Sequence, residues 1–335
     1  MLKIAVIGYG YWGPNIVRNF VENAHSEVVL VADMNEANLQ RVRGRYPAID
    51  TTTDAETVFA RADIDAVAIV TPVDTHYALA RRALETGKHV LVEKPMASSS
   101  QQARELINMA RERNLVLMVD HTFVYTGAVR KIAELVRQGE LGEVLYYDST
   151  RINLGLFQHD VNVIWDLAVH DLSIIEYILK KEPRAVSATG ISHVAGEPEN
   201  IAYLTIYYDD NLIAHVNVNW LAPVKVRRTL IGGSKKMIVY DALEPSETLK
   251  IYDKGIDIKT TEDIYRTLIS YRTGDMYSPK LEATEALQLE TQHFIDCIQN
   301  GISPETDGAA GLRVVKILEA ASQSIQRRGG VVELE

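Results

Sequence analysis

The sequence predicts an α/β protein in two parts: a doubly wound parallel sheet, then an α+β domain with a large, mostly antiparallel open sheet. Three observations carry this. Before about Asp120, short apolar runs alternate with amphipathic helical patterns. Beyond Thr122, strand-like segments follow one another through short turns. A glycine-rich turn directly follows the first apolar run.

In the first part the runs LKIAVIG, EVVLVAD, AVAIVT, HVLVEK and LVLMVD are continuous apolar stretches, as expected of strands covered on both faces. Helical patterns lie between them. In DTHYALARRALETG, Asp74 is placed to cap the start and Gly87 to end the helix. Strands separated by helices, with no tight hairpins, pair in parallel through right-handed crossovers. In the second part GAVRKIAELVRQG reads as a helix, EVLYYDSTRI as a strand and WDLAVHDLSIIEYILK as a long helix. RAVSATGIS, NIAYLTIYYDD, LIAHVNVNWLA, VRRTLIGG and KKMIVYDA are strand-like, and turns such as Asp209-Asp210-Asn211 and Gly232-Gly233-Ser234 suit antiparallel pairing. Two helices and a short VVELE strand close the chain. The expected domains are residues 1–121 and 122–335.

The 335 residues are 47% hydrophobic, enough for two cores. Thirty-five Lys and Arg stand against 45 Asp and Glu, a formal charge of -10. That balance opposes nonspecific binding to nucleic acid or anionic membranes, which need a positive footprint. Cys297 is the single cysteine, so no intrachain disulfide framework and no thiolate zinc site is expected. No H-E-x-x-H pattern or other ligand-like histidine spacing occurs, and the chemistry is expected to need no metal. With neither a signal-like segment nor a membrane span at the amino terminus, a cytoplasmic location is expected.

Gly8, Gly10 and Gly13 form G-x-G-x-x-G between the first strand and a helix. In a dinucleotide-binding Rossmann domain these glycines make a tight turn, admit the pyrophosphate to the backbone and let the helix pack closely. The helix amino terminus offers free N–H groups to the phosphates, and Pro14 suits its first turn. Asp33 ends the second strand, where a carboxylate binds the adenosine ribose and would repel a 2′-phosphate, so NAD is expected over NADP.

Ligands of such sheets bind beyond the carboxyl ends of the strands. Thr71-Pro72, Glu93-Lys94-Pro95 and Asp120-His121 all fall there. Pro95 keeps Lys94 extended, so the strand does not run straight into a helix. A lysine held there can hydrogen-bond a substrate hydroxyl and share in its proton transfer. In WDLAVHD, Asp166 and His170 are four apart and share a helical face. Imidazole titrates near neutrality, and oxidation of a secondary alcohol needs a base. The same spacing also suits a salt-bridged surface helix, and the two residues by themselves leave both readings open.

Together IAVIGYGYWGPN, TPVDTH, VEKPMA, WDLAVHDLSII and SPETDGAAGLRVVKILEAASQS resemble the Gfo/Idh/MocA family of NAD(P)-dependent sugar and cyclitol oxidoreductases over nearly the whole chain. The resemblance implies a catalytic Lys94 with Asp166 and His170. It implies a cofactor site drawn from Gly8, Gly10, Tyr11, Trp12, Gly13, Asp33, Thr71, Pro72, His76, Glu93 and Lys94. GYGYWGPN, HTFVY, RINLG and WDLAVHD are most similar to the nucleotide-sugar 3-dehydrogenases, which oxidise the 3-hydroxyl of UDP-N-acetylglucosamine or its uronate. Inositol or free-sugar dehydrogenases and deoxysugar ketoreductases are the alternatives within the family, and an NAD-dependent sensor or corepressor is the non-enzymatic one.

On this reading Lys94, His121, Tyr125, Arg151, Asn153, Asn162, Asp166 and His170 are the candidate substrate contacts. Asn162 suits either a sugar hydroxyl or the start of its helix, and Trp12 either the cofactor or a domain junction. The Lys225, Arg227 and Arg228 cluster suits either a pyrophosphate or a charged edge strand. By family analogy the open sheet is expected to build a homodimer or homotetramer.

Overall fold

A computed structural model describes residues 1–155, 161–253, 255–257, 270–272 and 274–334. By chain packing the molecule divides into one unit of Met1–Tyr125 with Thr284–Lys316, and another of Thr126–Ala283 with Ile317–Glu335.

In the first unit the strands β1 (Leu2–Ile7), β2 (Ser26–Ala32), β3 (Asp50–Thr52), β4 (Ala66–Ile69), β5 (His89–Glu93) and β6 (Leu117–Asp120) form a six-stranded sheet in the order β3-β2-β1-β4-β5-β6. Every pairing is parallel. The helices α1 (Gly13–Glu22), α2 (Glu36–Arg45), α3 (Glu56–Ala60), α4 (Val73–Glu85) and α5 (Ser100–Glu112) connect consecutive strands. All four residues of β4 and all four of β6 are buried, which is why AVAI and the LMV of β6 read as apolar runs, with Asp120 closing the second. The strand order reverses between β1 and β4, the topological switch point where such sheets bind ligands.

One local detail differs from the sequence reading, and the glycine expected to end α4 does so. Pro72, not Asp74, occupies the amino-terminal cap of α4, and Asp74 lies in the first turn, where its charge still complements the helix dipole. Thr86 is the carboxyl-terminal cap, and Gly87 follows it at φ +76°, a left-handed conformation that glycine adopts without strain.

The division also differs from the expected 121/122 boundary. Residues 284–316 return to the first unit because they bond to β6 and its following turn. The Val119 N–H donates to the Thr306 carbonyl (2.9 Å), and the Thr306 hydroxyl donates to the Val119 carbonyl (2.8 Å). Phe294 packs edge-on against Phe20 of α1, with ring centroids 6.3 Å apart. These pairings join residues more than 180 positions apart, so no local pattern announces them.

In the second unit follow α6 (Gly127–Arg137), β7 (Val144–Leu154), a π turn at Ile164–Ala168 and α7 (Val169–Leu179). Then come β8 (Ala185–Ile191), β9 (Ile201–Tyr207), β10 (Ile213–Asn219), β11 (Leu221–Gly233), β12 (Met237–Asp241) and β13 (Leu249–Tyr252). β14 (Gly255–Asp257) and β15 (Ser270–Arg272) pair separately, before β16 (Met276–Tyr277). The helices α8 (Ala286–Asn300) and α9 (Gly308–Gln326) precede β17 (Val332–Glu333). The nine-stranded sheet runs β16-β13-β12-β11-β7-β10-β9-β8-β17. β10 and β7 are parallel and the other pairings antiparallel, so the sheet is mixed but mostly antiparallel. β11 lies between β12 and β7, so the basic cluster it carries is not on an edge strand. Among the described residues no helix is long and apolar enough to cross a membrane.

Candidate active site

In the first unit a cleft of about 500 Å³ opens at the ends of β1, β2 and β4 and is lined by Gly8, Gly10, Asp33, Met34, Thr71, Pro72 and Thr75, among others. Its shape follows from the glycines. Gly8 has φ +100°, and a Cβ there would run into the Val70 carbonyl. A Cβ on Gly13 would strike the Gly8 carbonyl, whereas one on Gly10 would meet no atom within 4 Å. Two glycines therefore serve the fold, and the third leaves backbone open to the cleft. Tyr11, at the tip of the turn, is 94% exposed.

Asp33 joins the turn to β2. Its carboxylate accepts hydrogen bonds from the Tyr9 N–H (2.6 Å), the Asn35 N–H (2.7 Å) and the Asn38 amide (3.1 Å). A carboxylate has about four acceptor positions, so one further bond can be made to a cofactor hydroxyl. This turn, cleft and carboxylate fit a dinucleotide: N–H groups at a helix start for the phosphates, an acceptor at the strand end for a ribose.

Beyond β4, the His76 ring is buried between two carbonyls, Thr71 O and Pro95 O, each 2.8 Å from a ring nitrogen. Burial pushes its pKa down while both carbonyls oppose that. The ring ties the Thr71-Pro72 turn to the turn after β5. There Glu93 accepts the Lys94 backbone N–H, the Lys94–Pro95 bond is cis, and Lys94 is half-buried. A Ser99 cap then starts α5.

At the end of β6, His121 is buried and its pKa is pushed down to about 3, first by burial and then by the Lys94 charge. The ring is therefore neutral at working pH, so His121 does not titrate as a base near neutrality. Tyr125 is buried and shares a hydrogen bond with the Thr306 hydroxyl (3.1 Å). The Trp12 indole donates to Asp120 (3.1 Å), whose other oxygen accepts from Thr122 N–H and hydroxyl. Trp12 thus joins the glycine turn to the end of β6 within one unit.

Asp120 has a neighbour that sequence reasoning missed. Glu290 of α8 is buried, and burial raises its carboxyl pKa well above the usual range, with the charges of Asp120 and Glu93 adding to the effect. A carboxyl group whose folded pKa is raised stabilises the fold fully below its unfolded pKa, about 4.3, and loses that contribution as pH climbs. Glu290→Gln carries no charge to suppress. Its stability relative to the parent is expected to increase as the pH rises above about 4.3, by up to about 1.4 kcal/mol per pH unit. Parallel melting curves of the two proteins across pH would contradict this.

In the second unit, Asp166 and His170 are half-buried on one helical run, but Asp166 lies in the π turn that precedes α7 rather than in an α-helix. Such turns recur at functional sites. Asn162 starts the turn: its side-chain oxygen accepts from the Ile164 and Trp165 N–H groups, each at 3.2 Å, and its amide donates to Glu199 (3.1 Å). Asn153 is half-buried near the end of β7.

Arg151 departs from its expected role. It is buried and ion-paired with Asp171 of α7 at 2.5 Å, both side chains being about 5% exposed or less. Its guanidinium is engaged inside the unit. Removing one member of a buried pair leaves a charge without compensation. Arg151→Met is expected to cost about 3–5 kcal/mol in urea unfolding. A substrate contact alone would raise KM and leave stability unchanged.

Comparison with known proteins adds to this geometry. A model described as "Oxidoreductase family, NAD-binding Rossmann fold" matches residues 2–121, and a GFO/IDH/MocA C-terminal domain model matches residues 129–239. UDP-N-acetylglucosamine 3-dehydrogenase of Acidithiobacillus ferrooxidans is 28% identical over 94% of each chain. Its crystal structure superposes with a TM-score of 0.82 over 98% of both chains, at 26% identity. Inositol 2-dehydrogenase of Rhizobium meliloti is 24% identical over 98% of each chain. GenD2 from gentamicin A biosynthesis, solved with NAD, shares the fold at a TM-score of 0.84 and 24% identity, over all of this chain and 96% of its own.

Proposed function

Since the chain belongs to the Gfo/Idh/MocA family of NAD-binding oxidoreductases, we propose that it moves a hydride between NAD and a secondary alcohol of a sugar, the 3-hydroxyl of a UDP-N-acetyl-hexosamine or its uronate. The observation that carries the substrate is the likeness to UDP-N-acetylglucosamine 3-dehydrogenase along 94% of both chains. An inositol is the second reading, favoured by the full-length likeness to inositol 2-dehydrogenase.

NAD, when bound, accepts the hydride. The glycine turn holds its phosphates, Gly10 leaving the backbone open to them. Asp33 accepts a ribose hydroxyl and disfavours a 2′-phosphate, so NAD binds more tightly than NADP. Thr71 and Pro72 line the cleft, His76 holds their turn through the Thr71 carbonyl, and Glu93 fixes the turn that presents Lys94. Lys94 hydrogen-bonds the reacting hydroxyl and shares its proton with His170, and Asp166 orients the imidazole or holds a neighbouring hydroxyl. His121 and Asn153 supply neutral contacts to the sugar. Arg151, Tyr125 and Asn162, also candidate substrate contacts by sequence, are engaged within the protein by Asp171, Thr306 and the π turn. The reading extends to a cytoplasmic homo-oligomer built on the sheet face that carries Ile191 and Tyr203, both more than half exposed.

The test is an NADH-absorbance screen of UDP-sugars, free hexoses and inositols, run with and without a 2-oxo acid to recycle retained NADH. Turnover of UDP-N-acetylglucosamine or its uronate is expected. Turnover of an inositol with a flat response to every UDP-sugar would overturn the nucleotide-sugar assignment. Tighter binding of NADP than NAD would overturn the role given to Asp33.

A further inference from the structure

Trp220 joins β10 to β11 and is buried to 1% exposure, the largest of the fully buried side chains. Its backbone is held on both sides: its N–H donates to the Asn200 carbonyl (2.9 Å), and its carbonyl accepts the Gly155 N–H (3.0 Å). Gly155 lies so close that a Cβ there would stand 2.8 Å from the indole Cδ1. The indole N–H donates to Asp166 Oδ2 at 3.0 Å. An indole N–H is a donor with no acceptor capacity, so its direction fixes where a carboxylate oxygen sits.

The other end of Asp166 is fixed independently. Asn162 accepts two N–H groups of the π turn, the Val163 N–H donates to the Glu199 carbonyl (2.9 Å), and the Trp165 indole donates to Ser322 (3.0 Å). The backbone of the turn is thus anchored, while the terminal torsion of an aspartate is intrinsically broad. A rigid donor removes that freedom, as preorganisation of a site requires.

We propose that Trp220 is a positioning residue that sets the carboxylate of Asp166 for the reaction. This rests on the reading of Asp166 as part of the catalytic set. Trp220→Phe is expected to lower kcat by about 10-fold to 100-fold, the cost of a small misplacement, with KM for NAD unchanged. Site-specific β-(3-benzothienyl)alanine at position 220 keeps the ring volume and lacks the N–H. It is expected to lose kcat as the phenylalanine variant does, and it carries the test by itself if that variant does not fold.

Assays use NAD with UDP-N-acetylglucosamine, or with an inositol if the screen selects one. In an Asp166→Asn background, Trp220→Phe is expected to cost little more. Wild-type kcat in the benzothienyl protein, or the same loss from Trp220→Phe in both backgrounds, would overturn the proposal and leave the catalytic set standing. Full turnover by Asp166→Asn alone would overturn both.

Discussion

Lys94→Met lowers kcat by about two to four orders of magnitude, the usual contribution of a positioned proton-transfer group, while the affinity for NAD changes by less than about tenfold. The substitution keeps much of the stem and removes the ammonium. Lys94 follows β5, one residue beyond the strand, in a turn fixed by its own N–H to Glu93 and by the His76 bond to Pro95. Neither anchor involves the amine, so the turn is expected to survive and the loss to appear in turnover. The phosphates and ribose are assigned to the glycine turn and Asp33, so NADH fluorescence titration should report near-native binding. His170→Asn is expected to act similarly on kcat. If both variants turned over an identified sugar at the parent rate, the assignment of the proton to these residues would be wrong.

The second large effect separates two glycines that look equivalent in the sequence. Gly13→Ala places a Cβ in overlap with the Gly8 carbonyl oxygen, so protein stability and cofactor binding should fall together. Relieving a steric overlap of this kind costs about 1–3 kcal/mol. Gly10→Ala meets no protein atom within 4 Å, so its melting temperature should match the parent. The new methyl nevertheless occupies the face on which the pyrophosphate is proposed to lie, and NAD affinity should weaken by about tenfold or more, roughly 1.4 kcal/mol. Thermal melts and NADH titration on the two variants measure this split. Equal affinities for parent and Gly10→Ala would place the phosphates elsewhere.

The first unit was largely legible because its signals are local. Apolar runs such as AVAI and LMVD are buried strands, and G-x-G-x-x-G follows β1 as required. The positions of Asp33 and Lys94 at strand ends follow from the same pattern. In the second unit, alternation announced the sheet, but the position of β11 beside β7 did not follow from alternation. The basic cluster therefore looked like an edge feature and proved to lie on an interior strand. Arg151 shows a similar limit: a charged residue late in an aromatic strand invites a substrate role, and its burial against Asp171 depends on where α7 packs. The return of residues 284–316 to the first unit rests on one backbone bond and one hydroxyl bond between Val119 and Thr306, for which no short-range pattern exists.

What the sequence by itself determined is the family, the dinucleotide turn with its carboxylate, and the types of residue available for proton transfer. These depend on spacings of a few residues, and backbone geometry converts such spacings directly into turns and faces. Tertiary structure alone decided which polar groups are spent inside the protein. Arg151 is held by Asp171, Asn162 by its π turn, and Glu290 is buried beside Asp120. It also decided that the indole of Trp220 meets Asp166, 54 residues away. A buried polar group must find a partner or lose its charge, and which partner it finds is set by how distant segments pack.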